Sequence, residues 1–120
     1  MPTMSKEILS GSTNGRGKKV TGTDTSGAVT LHTVTSGGSG ADIDEIFIYA
    51  TNTSASQVKL TIEFGGTTSP DDHIVANIPA ETTVLVVPGL ILKGGVVVEA
   101  FAGTGNVITC HGFVNRIDIS

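Results

Sequence analysis

The 120-residue chain has no tryptophan, one tyrosine and four phenylalanines. So few rings weigh against a sugar- or base-stacking platform, which usually displays exposed aromatics. A single cysteine excludes an internal disulfide, and a small secreted domain normally carries several. The chain therefore reads as one that folds in a reducing cytoplasm. Cationic groups are scarce, 7 Lys and Arg against 11 Asp and Glu for a net charge of −4, which argues against general nucleic-acid binding. Long apolar runs are missing too. The longest, Val84 to Leu92, is interrupted by Pro88 and Gly89 and falls short of the ~20 residues of a membrane helix. Residues 1–10 lack the apolar core of a signal peptide. The good helix formers Leu, Ala, Glu and Lys are sparse.

What is abundant points one way. Val, Ile and Thr make up about a third of the residues, and 16 glycines supply turns. This is an all-β composition. The length fits one domain, which buries roughly two-thirds of the surface its unfolded chain exposes.

Charge divides the chain. Residues 1–27 carry Lys6, Arg16, Lys18 and Lys19 against Glu7 and Asp24, a net of +2. The remaining 93 residues carry three basic and nine acidic groups, a net of −6. From Ser10 to Gly27 turn formers dominate and no periodicity is sustained, so residues 1–27 are expected to form a flexible, extended basic N-terminal arm that orders on a partner. A short strand around Lys18 to Thr21 and a helical turn at Ser5 to Leu9 are the candidate elements within it.

Residues 28–120 are expected to form the folded domain. Strands are predicted over 28–35, 42–52, 57–64, 73–78, 81–87, 90–93, 96–101 and 107–117, with a flexible Gly/Ser loop over 36–40. Within 57–64, Val58, Leu60, Ile62 and Phe64 form one apolar face against Gln57, Lys59, Thr61 and Glu63, as in an antiparallel sheet wet on one side. Within 42–52 both faces are partly apolar: Ile46, Ile48 and Ala50 oppose Phe47 and Tyr49. That strand is expected to be central or to have its second face covered. Hairpins are expected across 52–56 and across 103–106. About eight strands spaced roughly ten residues apart describe an antiparallel β-sandwich, jelly-roll or immunoglobulin-like.

No pattern of residues carries catalysis. Gly15-Arg16-Gly17-Lys18-Lys19 lacks the first glycine and the Ser/Thr of a phosphate-binding loop. His32, His73 and His111 fall on three strands, and nothing in their spacing makes them converge on a metal. Asp42, Asp44 and Glu45, and Asp71 with Asp72, read as loop-supporting carboxylates, because no calcium-loop spacing is present. Cys110 shares a strand face with Ile108 and Val114 and reads as a small buried hydrophobe. Asp72 and His73, adjacent on a strand, point to opposite faces and make no dyad. Asn52-Thr53-Ser54 matches a glycosylation sequon, but reads as a plain turn in a cytoplasmic protein. No enzyme activity, cofactor or metal is expected.

Four blocks carry a resemblance: Ile8–Gly17, Glu45–Ala50, Lys59–Gly66 and His111–Ile117. Together they make the chain similar to small virion proteins of tailed bacteriophages, and within that group to capsid decoration, or cement, proteins. The resemblance implies a β-rich protein seated on the outer capsid, its extended arm clamping neighbouring subunits. It further implies the major capsid protein and other copies of the chain, as a trimer or dimer, as partners. It implies no nucleic-acid or membrane partner, and a location on the virion exterior after assembly in the host cytoplasm. On this reading Lys6, Arg16, Lys18 and Lys19 pair with carboxylates of the shell. The alternative is a tail or head-fibre module binding a host-surface glycan or receptor.

Overall fold

The computed structural model describes residues 3–36 and 42–118. The Gly/Ser loop expected over 36–40 lies, from residue 37 on, outside them. The described residues form β1 (Thr3–Ile8), β2 (Lys18–Val20), a 3₁₀ turn (Thr25–Gly27), β3 (Val29–Thr33), β4 (Ile43–Asn52), β5 (Val58–Phe64), β6 (His73–Ile78), β7 (Thr82–Leu92), β8 (Val97–Ala102) and β9 (Ile108–Asp118). Two antiparallel sheets pack face to face as a β-sandwich. Sheet A runs β1-β9-β4-β7, with β2 also on β9, and sheet B runs β3-β8-β5-β6.

The pairings β2–β9, β3–β8, β4–β7 and β5–β6 nest one inside the next, and successive pairs fall in opposite sheets. A long antiparallel ribbon folded over on itself in this way is a jelly roll, which decides between the two topologies the sequence allows. Both expected hairpins are corrected by it. β4 and β5 belong to different sheets, as do β8 and β9. Short polar turns look like hairpin turns locally, yet each carries the chain across the sandwich, because every strand must present its apolar side to the same core.

Asn52 shows how such a crossing is fixed. It is fully buried, and its Nδ2 donates to the carbonyls of Ser56 (2.8 Å) and Ile78 (3.0 Å). Its Oδ1 accepts from the Ser54 amide (2.9 Å) and hydroxyl (2.8 Å). The turn leaving sheet A is thereby tied to the end of β6 in sheet B, with the side chain's donors and acceptor all used.

The core comes from the alternating positions read in the sequence. Ile46, Ile48 and Ala50 of β4 meet Leu60 and Ile62 of β5, Val98 and Ala100 of β8, and Ile108, Cys110 and Val114 of β9. The strands expected over 81–87 and 90–93 are one, β7 (Thr82–Leu92). Pro88 is accommodated because β7 is the edge of sheet A, where a missing N–H costs no ladder bond.

The expectation of a free arm over residues 1–27 is also corrected. β1 pairs with β9 from Thr3↔Asp118 to Ile8↔Phe113, and β2 pairs with it from Lys18↔Cys110 to Val20↔Ile108. Leu9 (1% exposed) and Val20 (0%) belong to the core. A helical turn at Ser5 to Leu9 loses to six strand partners, since a single turn of helix is poorly stable by itself. The leader therefore supplies part of the sandwich, and residues 28–120 are not the whole of it.

Candidate docking surface

The outer face of sheet A is the least covered apolar surface. In register, Phe47, Tyr49 and Glu45 of β4 stand beside Phe113, His111 and Asn115 of β9. β1 adds Met4, Lys6 and Ile8 on one flank, and β7 adds Leu85 and Ile91 on the other. Met4, Ile8, Leu85 and Ile91 are exposed by 42 to 66%, and Tyr49 is exposed as well. At the centre the Phe47 and Phe113 rings stack 4.7 Å apart at 12°, and Lys6 Nζ lies 4.6 Å above the Phe113 ring. Stacking and the cation over the ring hold these side chains flat against the sheet.

The backbone beneath is shaped to allow this. Gly89 has φ +92°, and a Cβ there would come within 2.9 Å of the Phe47 ring. Opposite, Gly17 lets the β1–β2 connection pass so close that a Cβ would lie 2.4 Å from Thr109 and 2.6 Å from His111. Glycine at these two points is what lets a flat aromatic face and an overlying turn coexist.

The four basic residues do not form one cluster. Lys6 pairs with Asn115 and Lys19 with Thr109, two β9 residues of the same parity, so both lysines share the outer face. Arg16 is exposed in the turn between their strands. Lys18 pairs with Cys110 and has the opposite parity. Sequence reasoning identified the charges and missed the apolar face they flank. Its one signal was the second apolar side of β4.

The described residues hold two polar clusters away from this face. In the first, Ser10 N–H donates to His32 Nδ1 (3.0 Å), which places the proton on Nε2, and Nε2 donates to Asp44 Oδ2 (2.8 Å). Arg116 grips the same carboxylate with Nε (2.8 Å) and Nη2 (3.1 Å), and the Thr35 N–H adds a fourth bond (3.0 Å). Burial by itself would raise the Asp44 carboxyl, but the bonds from Arg116, His32 and Thr35 outweigh it and hold it below the ordinary range. The arrangement is a fastener. It joins β3 of one sheet to β4 and β9 of the other and ties in the leader. The His32 ring has no nitrogen left to activate a nucleophile, and the Ser10 hydroxyl accepts from the Thr33 amide (2.7 Å).

In the second, Glu63 is fully buried on the outer side of sheet B. Its Oε2 accepts from Thr25 Oγ1 (2.9 Å) and lies 3.3 Å from His73 Nε2. Its Oε1 has no partner, and His73 Nε2 lacks hydrogen-bond geometry. His111 lies on the opposite face, so the three histidines stay apart, and no cluster suited to a metal occurs among the described residues. Cys110 is buried, and burial pushes its thiol up to about 12.

No protein-family model and no curated protein matches the chain. Among solved structures, the chain is similar to a protein of "Bacillus endospore appendages", described as forming "a novel family of disulfide-linked pili". The identity is 11% and the TM-score 0.51, over 99% of this chain and 89% of that one. A protein of the infectious bursal disease virus Gx strain aligns at 10% identity and TM-score 0.44, covering 97% of this chain and 32% of that one. The Podospora anserina GH26-CBM35 β-(1,4)-mannanase aligns at 14% identity and TM-score 0.32, over 95% of this chain and 27% of that one. At these identities the first likeness is one of fold.

Proposed function

We propose that this protein is a structural component of a virion. It binds the outer surface of an assembled capsid through the outer face of sheet A and stabilises the shell. One observation carries this reading: an apolar face built around Phe47 and Phe113, flanked by Lys6 and Lys19, on a chain of net charge −4. Contiguous apolar surface rimmed by polar groups is characteristic of protein contact sites. Positive groups around it favour an acidic partner, steering encounter and fixing register. The major capsid protein is the proposed partner, with further copies of the chain beside it. Binding that exists only on the assembled shell stabilises that state by mass action.

The role of the leader differs from that of a long clamp. Strand β1, exposed along nearly all its length, brings Lys6 to the docking face while Leu9 anchors it in the core. The endospore protein of similar fold is described as building disulfide-linked pili. With Cys110 buried and no second cysteine, assembly of this chain rests on non-covalent contact. Catalysis has no part in this reading, in which both nitrogens of the His32 ring serve the fastener.

A reconstruction of the virus particle encoded with this chain tests the proposal. Its density should cover the outer shell in hundreds of copies, with sheet A turned inward. Few copies confined to a tail, or none in the particle, would overturn it.

A further inference from the structure

The outer face of sheet B, turned away from the docking surface, carries a cleft of about 430 Å³. Its floor is a row across three strands, Val75, Thr61 and Phe101, set by the pairings Thr61↔Val75 and Thr61↔Phe101. Thr23 of the β2–β3 connection forms one wall, and Ser69 and Pro70 form the other. His73 stands at one end, where Glu63 is its cross-strand neighbour, and Lys59 lies further along β5.

We infer that this cleft binds a neutral pyranose. The lining joins one aromatic ring, hydroxyls from Thr23, Thr61 and Ser69, an ammonium donor and an imidazole. Sugars need this combination, an apolar patch for ring C–H groups and convergent donors and acceptors for hydroxyls. The His73 ring is held from two sides, edge-on to Phe101 (centroids 6.2 Å apart, 77°) and with Nε2 3.3 Å from the Glu63 carboxylate. Glu63 itself is fully buried and does not line the cleft. An anionic ligand is disfavoured, because Glu63 and Glu99 are paired in the adjoining row. An acyl chain is disfavoured by the hydroxyls of the floor and walls.

The inference goes beyond the docking reading and stands or fails separately from it. The test is amide chemical-shift titration of the intact protein with methyl glycosides of glucose, galactose, mannose and N-acetylglucosamine, each to ~50 mM, a range that captures weak single-sugar affinities. Glucosamine and glucuronate serve as charged probes. At least one neutral glycoside should shift Thr61, His73 and Phe101, and Phe101→Leu should weaken it by ~tenfold or more. Lys59→Ala and Ser69→Ala, at exposed rim positions, should each weaken it ~threefold or more and report even if Phe101→Leu fails to fold. Phe47→Ser, on the docking face, should leave sugar binding unchanged. The inference is overturned if no neutral glycoside shifts the cleft, if only a charged probe binds, or if the cleft variants bind as the parent does.

Discussion

His32 and Asp44, twelve residues apart in sequence and on opposite sheets, meet at 2.8 Å with 1% and 0% of their side chains exposed. The contact clamps the end of the sandwich. Ser10 rests on one side of His32, and Arg116 closes on the other side of Asp44. Leader, β3, β4 and β9 are thereby joined through one carboxylate.

Asp44→Asn should therefore be the most damaging single polar substitution, costing about 3 kcal/mol in urea unfolding. That is the low end for breaking a buried pair, because Arg116 is 32% exposed and can rehydrate. A loss under about 0.5 kcal/mol, the usual size for an ordinary surface change, would contradict the role given to the fastener.

The same group sets a pH dependence. Its folded carboxyl titrates below the ordinary aspartate range, so the unfolded chain takes up the proton first as pH falls. Its contribution is fully present above about pH 4 and is lost as pH drops through the folded value. Unfolding midpoints from pH 7 to pH 2.5 should fall most steeply below about 4. In Asp44→Asn that segment should be shallower.

Truncation separates the two halves of the leader. Removing residues 1–8 deletes an edge strand that holds no buried residue and should leave a cooperative fold, with its melting temperature only slightly lowered. Removing residues 1–20 also deletes Leu9 and Val20. At roughly 2 kcal/mol or more for each buried aliphatic side chain, that should abolish cooperative unfolding. Equal behaviour of the two truncations in calorimetry would contradict the placement of Leu9 and Val20 in the core.

On the docking face, Lys6→Glu and Lys19→Glu should weaken capsid co-sedimentation most at low salt, while Lys18→Glu, of opposite parity, should do less. Phe47→Ser should abolish binding at any salt and leave the fold intact. If Lys18 mattered more than Lys19, the docking face would be misassigned.

Cys110 should resist alkylation. With the thiol pushed up to about 12 and no surface exposed, iodoacetamide at pH 8 should leave the native protein unlabelled and label it after denaturation. Labelling of the native protein at the denatured rate would show the β9 segment to be open.

The sequence by itself determined most strands of residues 28–118 and their faces, because period-two alternation is a local property. Val58, Leu60 and Ile62 point inward for the reason visible in their spacing, and Phe47 and Tyr49 showed a second apolar side before any partner was known. What it did not determine was who pairs with whom. Strand pairing is a long-range choice made by the common core, so the turns at 52–56 and 103–106 became crossings between sheets rather than hairpins. The leader was misread for a related reason. Its two apolar anchors, Leu9 and Val20, are too few to show a periodicity, yet the free edge of β9 supplies backbone partners that no composition reveals. The docking face and the cleft are likewise tertiary. Lys6 reaches Phe113, and His73 reaches Glu63 and Phe101, only because the jelly roll lays strands distant in sequence side by side.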